Sequence, residues 1–399
     1  MKTLLMIDPD FPSTRKSVNH ADIIPIGLLK IGAYYQHEGW DVHLLRLCES
    51  DTPIQCNPDK IIVTSLFTYW SEQVIEAVKY ARDNYPNTYV EVGGIWASLM
   101  PEKCKELTGA DNVYCGIHKA AEEFEPDYSL LSSEIDYQII HTSRGCNRRC
   151  KTCGVYCIEP HLEFRDSIKE LIHKKKIVLY DNNFLLNPHV ENILRELIVL
   201  KRKRLIKSVE CQSGFDGRIL RKNPQLGKMI KEAGFVFPKI AWDGKYKTWK
   251  KREEEINILK DAGYISKHIG VFFLENHDLP YAELEKKRLK CWEWRVQVIN
   301  CRYRPLNQLY DNYNGRLNDQ SSDEFYLHPN WTFKEIKTFN RSVKLHNTCV
   351  RFYSEYYSRD IAYKKLSKER IMELRYLSYD EAKDQLDDCW NPAEFHEVL

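Results

Sequence analysis

The chain lacks any apolar run near the ~20 residues that a membrane-crossing helix needs, so no membrane span is expected. It also lacks an excess of one charge. Its 59 Lys and Arg oppose 57 Asp and Glu, which removes any bulk electrostatic drive toward nucleic acid or a membrane surface. The apolar opening Met1–Ile7 stops at Asp8-Pro9, before a signal-peptide core could form, and reads instead as a buried strand of a cytoplasmic protein. There is no internal repeat and no low-complexity segment. With 399 residues and 43% hydrophobic side chains, the chain can bury the cores of two or three domains. Its 13 cysteines are an odd number and mostly scattered: Cys48, Cys115, Cys211 and Cys301 stand singly on apolar stretches and read as thiols that pack like small hydrophobes. A disulfide scaffold is not expected in so long a chain without an export signal.

Two series of alternating strands and helices follow one another. In residues 1–125 the expected strands are Thr3–Asp8, Asp41–Leu47, Lys60–Ser65, Tyr89–Val92 and Asn112–Cys115, with helices at Pro25–Glu38 and Trp70–Tyr85. Such alternation with apolar strands predicts an α/β fold with a doubly wound parallel sheet, whose ligands sit beyond the carboxyl ends of the strands. Residues 126–136 are polar and poorly periodic and read as a linker. In residues 137–302, strands are expected at Gln138–Thr142, Ile177–Tyr180, Ser208–Cys211, Phe237–Trp242, His268–Phe273 and Val296–Cys301. Helical patterns separate them at Ser167–Lys175, His189–Lys203, Gly217–Ala233, Trp249–Ala262 and Tyr281–Trp294. Six strands in such a series predict a partial (β/α)6 barrel. Residues 303–399, with a helix expected over Thr332–Tyr356, read as an α-rich cap.

One cysteine cluster is dense. Cys146, Cys150 and Cys153 are spaced C-x3-C-x2-C directly after the first strand of the second series. Soft thiolates so close together suit an iron–sulfur cluster or zinc. Structural zinc wants four ligands, commonly from paired C-x2-C knuckles; here there is one such pair, and Cys157 is the remaining candidate that keeps zinc open. Arg144, Arg148, Arg149 and Lys151 surround the thiols and would stabilise thiolates or offset a cluster's negative charge. Three ligands on four irons would leave one iron open, as a catalytic metal centre requires.

This spacing after the first strand of a βα barrel resembles the radical S-adenosylmethionine (SAM) superfamily. The resemblance implies a 4Fe–4S cluster on Cys146, Cys150 and Cys153, with SAM on the open iron and cleaved to a 5′-deoxyadenosyl radical. It also implies an electron donor such as flavodoxin or ferredoxin. The residue before the third cysteine, usually aromatic in the family and near the adenine, is here Thr152. By the same resemblance Asp181, Asn182 and Asn183, after the second strand, would hold the SAM amino group, although an Asn-rich helix cap would read alike. Gln212 and Ser213 follow the third strand; the arginine that relatives often place near Gly214 is absent, and Arg218 is the nearest substitute. Asp243 follows the fourth strand as a candidate ribose contact or a plain Asp-Gly turn.

The first domain resembles the cobalamin-binding domain that precedes the barrel in one class of these enzymes. The likeness rests on Pro25-Ile26-Gly27-Leu28, on the strand ending in Thr64-Ser65, and on Gly93-Gly94 followed by Ile95–Ser98. Small residues at those ends would let a bulky ligand approach the backbone. No Asp-x-His-x-x-Gly motif supplies a cobalt-ligating histidine. The expectation is a cobalamin-dependent radical SAM methyltransferase acting on an unactivated carbon. The alternatives are oxidation, rearrangement or thioether chemistry without cobalamin, or a zinc- or cluster-stabilised nucleic-acid-binding module. The substrate could be a peptide, a small metabolite or a nucleotide. Aromatics such as Trp292, Trp294, Tyr303, Trp331 and Phe333, interleaved with Arg302, Arg304, Lys334, Lys337, Arg341, Lys344 and Arg351, read as core and solvated face rather than a nucleic-acid site.

Overall fold

The computed structural model describes residues 1–12 and 24–391. It is a mixed α/β protein with parallel sheets. Two compact units divide the chain: Met1–Val178 with Arg304–Tyr313 and Asp323–Tyr326, and Leu179–Tyr303 with Asn314–Ser322 and Leu327–Leu399. No helix among the described residues is long and apolar enough to cross a membrane.

The first unit is built on β1 (Thr3–Asp8), α1 (Ile26–His37), β2 (Asp41–Arg46), β3 (Lys60–Ser65), α2 (Ser71–Asn84), β4 (Tyr89–Gly94), α3 (Ile95–Leu99), α4 (Pro101–Thr108) and β5 (Asn112–Val113). The five strands form one parallel sheet in the order β2-β1-β3-β4-β5. Residues of β1 alternate between two apolar layers. Leu5 and Ile7 pack with Val74, Val78 and Trp96 on one face, and Leu4 and Met6 with Leu28 on the other. Helices on both faces explain why these strands read as unbroken hydrophobic runs. The strand order reverses at β1, so the crevice for a ligand opens at the carboxyl ends of β1 and β3. The expected strand at Asn112–Cys115 is shorter, ending at Val113.

The same unit continues with α5 (Lys119–Glu122), β6 (Tyr137–Ile140), β7 (Ser143–Arg144), α6 (Val155–Ile158), β8 (Glu163–Phe164) and β9 (Lys176–Leu179). β6 lies beside β9, and β7 pairs antiparallel with β8. The helix expected over Ser167–Lys175 does not form; that stretch holds a single 3-10 turn, Lys169–Leu171. Its backbone is engaged elsewhere. The buried Gln138 amide donates to the Leu171 carbonyl and accepts from the His173 and Lys174 N–H groups. A side chain that satisfies three backbone groups removes the reason for those groups to bond along a helix.

The second unit contains α7 (Val190–Arg202), β10 (Ser208–Cys211), α8 (Gly217–Lys222), α9 (Gln225–Glu232), β11 (Lys239–Ala241), α10 (Trp249–Asp261), β12 (Gly270–Glu275), α11 (Tyr281–Glu293) and β13 (Gln297–Arg302). β11, β12 and β13 are parallel, and the Val209–Phe235 and Phe215–Ile240 bridges continue the strip toward β10. The single helix expected over Gly217–Ala233 is two, because Pro224 has no N–H to donate and its ring breaks the ladder. The chain then forms α12 (Phe333–Phe352), β14 (Tyr357–Ser358), α13 (Arg359–Ala362), α14 (Lys368–Leu374), α15 (Tyr379–Lys383) and β15 (Cys389–Trp390). Trp292, Trp294, Trp331 and Phe333 are buried, as core aromatics should be.

Gly94 is demanded by the sheet itself. Its φ is +104°, and a Cβ there would lie 2.1 Å from the Ser65 carbonyl oxygen. A Cβ on Gly93 would meet nothing closer than 3.8 Å. Gly94→Ala should therefore destabilise the protein, without any added cofactor, by about 2–4 kcal/mol in urea unfolding. Gly93→Ala should stay near the parent. Equal stability of the two variants would contradict this packing.

Candidate cofactor-binding site

The cysteine loop starts where β7 ends. Gly145 has φ +74°, and a Cβ there would sit 2.3 Å from the His161 carbonyl oxygen, so the β7–β8 hairpin closes only over glycine. The Gly145 N–H donates to Glu159 Oε2 at 2.8 Å. Arg144, one residue earlier, donates to both carboxylate oxygens of Glu122, at 2.6 and 3.1 Å, and to Glu159 at 3.3 Å. Lys30 of α1 reaches Glu122 from the other side at 2.9 Å. Burial opposes ionisation of Glu122, but Arg144 and Lys30 outweigh it and hold the carboxyl below its usual range. For Lys30 burial dominates and lowers the ammonium's pKa despite Glu122.

This brace leads into one short loop that carries Cys146, Cys150 and Cys153, and in its second turn the Cys153 N–H donates to the Cys150 carbonyl at 3.0 Å. Cys150 is exposed; Cys146 and Cys153 are half-buried, as is Thr152. Burial pushes the Cys153 thiol above its ordinary value, and the charges of Cys150, Cys146 and Cys157 push the same way. The three neighbouring sulfurs are thus close enough to Cys153 to oppose its ionisation, which a bound cation would relieve. Among the described residues no three His, Cys, Asp or Glu side chains converge on a single-ion position. The donor set itself, three soft thiols on one short loop, fits an iron–sulfur cluster. Cys157 faces a cleft of about 480 Å³ that Arg144, Glu159, His161, Cys115 and Lys119 also line.

The loop is tied to the sheet of its own unit. The side chain of Leu99, on α3, lies 3.1 Å from where a Gly154 Cβ would stand, and α3 starts directly after Gly94. At this edge the four expected cobalamin contacts divide. Thr64 and Ser65 pair in register with Gly93 and Gly94. The Ser65 hydroxyl is spent internally, donating to the Gly93 carbonyl at 2.7 Å and accepting from the Ala97 N–H at 3.1 Å. Ser65 and Gly94 hold the strand ends together, and Gly93 has room beside it. Beyond them, at the carboxyl ends of β1 and β3, stand aromatic rings that sequence reading missed. Phe67 stacks on Tyr69 at 5.0 Å, Phe11 on Trp70 at 5.5 Å, and the Arg304 guanidinium lies 4.4 Å over Tyr69. Broad ring faces at a switch point fit a large planar ligand.

In the second unit Asp181 is 1% exposed, and its carbonyl accepts from the Ser213 hydroxyl at 2.6 Å. Asn182 is half-buried. Asn183 donates through Nδ2 to Asp216 at 3.1 Å, which turns its Oδ1 away from Asp216. That Oδ1 and the Oε1 of Gln212 are buried with no hydrogen-bond partner among the described residues. Two orphaned acceptors beyond β9 and β10 fit the N–H groups of an ammonium. Arg218 is placed less favourably: it is half-exposed and bonds Asp216, the cap of its own helix. Arg252, not anticipated from sequence, donates to the Ala241 carbonyl at 2.6 Å and to Glu255 at 2.7 Å, and its buried Nε has no partner among the described residues.

Asp243 is exposed at the end of β11, and its charge is felt by Lys287, whose pKa burial lowers to about 8. It is also felt by His277, just past β12. His277 lies edge-on to Tyr303 at 4.5 Å, and Asp278 stands between it and His328, 3.9 and 3.5 Å away. Burial lowers the pKa of His277, with Asp278 opposing. This group at strand carboxyl ends was also missed; the His-Asp pair directly after an apolar strand was the available signal.

Two predictions follow from this geometry. Glu159→Ala should lower the iron retained after anaerobic reconstitution and desalting, while Glu159→Gln, whose amide oxygen still accepts from Gly145, should recover most of it. Asn183→Ala, Gln212→Ala and Asp181→Ala should each weaken SAM binding in calorimetry by about 1.5–3 kcal/mol at unchanged iron content. Unchanged affinity in all three would move the SAM site elsewhere.

No protein-family model matches the chain, and no curated protein matches its sequence at a significant level. Among solved structures its fold is similar to that of TsrM, a radical S-adenosylmethionine methyltransferase from Kitasatospora setae described with cobalamin and a [4Fe-4S] cluster bound. The match covers 75% of this chain and 72% of that one, with a TM-score of 0.55 and 14% sequence identity. At that identity the likeness is one of fold alone.

Proposed function

We propose that the protein is a cobalamin-dependent radical SAM methyltransferase acting on an unactivated carbon. The observation that carries the reading is the braced loop of Cys146, Cys150 and Cys153, joined within one unit to the carboxyl edge of a doubly wound sheet. When bound, a 4Fe–4S cluster supplies the electron that cleaves SAM, and cobalamin supplies a transferable methyl group. The chain's part is to hold and aim. The thiolates of Cys146, Cys150 and Cys153 would hold the cluster. Gly145 and Glu159 keep the loop closed over the hairpin. Asn183 Oδ1 and Gln212 Oε1 accept from the SAM ammonium, with Asp181 adding charge. Ring faces at Phe67, Tyr69 and Trp70, with Gly93, shape the cobalamin seat, and none of them offers an imidazole to cobalt. Under this reading β10, β11, β12 and β13 of the second unit are strands of the partial barrel. An electron donor such as flavodoxin or ferredoxin supplies the electron in a cytoplasmic setting.

The test is incubation of the reconstituted protein with methyl-labelled SAM and cobalamin. Label should pass to the cobalt-bound methyl group, and the protein should retain cobalamin through desalting with a base-off spectrum that lacks histidine ligation. If no cobalamin is retained and SAM is nevertheless cleaved, the aromatic rings fill the switch point themselves and the chemistry is cobalamin-independent.

A further inference from the structure

α12 carries a charge pattern that helix stability does not explain. Its 20 residues are capped at the start by a Thr332–Glu335 box and stopped by Tyr353 in the left-handed region, φ +64°. One face is core: Phe333, Ile336, Phe339, Val343 and Leu345 are buried. The exposed positions of the helix are Lys334, Arg341, Lys344 and Arg351, with half-buried Lys337 between the first two, so every fully exposed residue is a cation. They recur at helical spacings of three, four and seven and form a single stripe about 26 Å long.

Like charges three and four residues apart repel, and cations near a helix N-terminus oppose the dipole. Lys334, Lys337 and Arg341 incur the first cost, and Lys334, in the first turn, incurs the second as well. The one acid on the helix, Glu335, is folded back onto the cap, where it accepts from the Thr332 N–H at 2.7 Å. Among the described residues Lys334, Arg341 and Lys344 have no carboxylate partner. Lys337 is turned to the Leu317 carbonyl, and Arg351 donates to Gln297 at 3.1 Å. The stripe is therefore a repulsive array that nothing in the described chain neutralises.

Exposed tyrosines flank it. Tyr363, 40% exposed, lies under Lys344 at 4.3 Å, and Tyr353, 44% exposed, lies under Lys267 at 4.0 Å. Lys364 and Lys368 are exposed after Tyr363, whereas Lys365 is paired with Asp360. We propose that α12 and the Tyr353 and Tyr363 rings bind single-stranded nucleic acid, the cations tracking phosphates and the rings stacking bases. An acidic protein partner would call for apolar anchors at the centre of the contact, and α12 exposes none. A duplex keeps its bases stacked and gives the rings nothing to hold. Sequence composition alone placed these charges on a solvated face; their alignment, their unrelieved repulsion and the adjacent rings are what the structure adds. The proposal is independent of the cofactor reading.

The experiment is fluorescence anisotropy of the full chain with a labelled oligouridylate long enough to span the helix. Binding should weaken with salt at about 0.7 logarithmic units per neutralised phosphate. Combined Lys334→Glu, Arg341→Glu and Lys344→Glu should lower affinity by about tenfold or more and flatten the salt slope by roughly two units. Tyr363→Ala should weaken binding without changing that slope, and Tyr363→Phe should restore it. Thermal melting of the charge variants should match or exceed the parent, since each side chain is exposed and glutamate relieves the repulsion, and that of the Tyr363 variants should match it; should the triple variant melt early, Arg341→Glu alone carries the comparison. Absence of binding at low salt would overturn the proposal. So would undiminished binding by the charge variants, equal competition by polyglutamate, or tighter binding of a duplex.

Discussion

The Arg144 guanidinium, held between Glu122 and Glu159, is the interaction on which the candidate site depends. It precedes Gly145, and Glu159 also takes the Gly145 N–H, so one carboxylate fixes both the charge and the backbone that enter the cysteine turn. Glu122 in turn binds Lys30, which links the hairpin to the first helix of the sheet. Buried ion pairs add little net stability, because desolvation offsets most of the Coulomb gain. Their geometric demand is strict, however. A guanidinium with two carboxylates in a half-buried setting has few satisfactory arrangements, and that restricts where the first thiol can point.

Much of this was legible. The parallel sheet of the first unit declared itself through apolar strands separated by amphipathic helices, because strands covered on both faces have no polar alternation to display. The cysteine spacing was legible for a similar reason: three thiols within one short loop have few structural uses. What failed were inferences that needed a tertiary partner. The Ser167–Lys175 helix was lost to the Gln138 amide, from a strand some thirty residues earlier. Ser65 and Gly94 were read as room for a ligand; their smallness also lets two strands of the sheet close on each other, which the sequence did not reveal. Arg218 was near the right place in sequence, but its helix cap claimed it. Asn183 and Gln212 were named from their places after two strands, whereas the His277–Asp278–His328 group acquires meaning only when separate segments are set side by side.

The same reasoning separates charges that serve the fold from those that do not. Glu122, Glu159 and Glu335 each satisfy a specific donor, and their removal would be felt locally. Lys334, Arg341 and Lys344 of α12 pair with no carboxylate among the described residues and repel their neighbours along the helix. Charges that lower no energy within the chain are the ones for which an external partner is the economical explanation.

The claim at the centre of this account is that three thiolates hold a 4Fe–4S cluster with one iron left open for SAM. Electron paramagnetic resonance of the anaerobically reconstituted, reduced protein tests it directly, with and without SAM. The account predicts a reduced-cluster signal whose shape changes when SAM is added and is absent when Cys146, Cys150 and Cys153 are replaced by alanine. A cluster signal indifferent to SAM, or one that survives loss of the three cysteines, would contradict it.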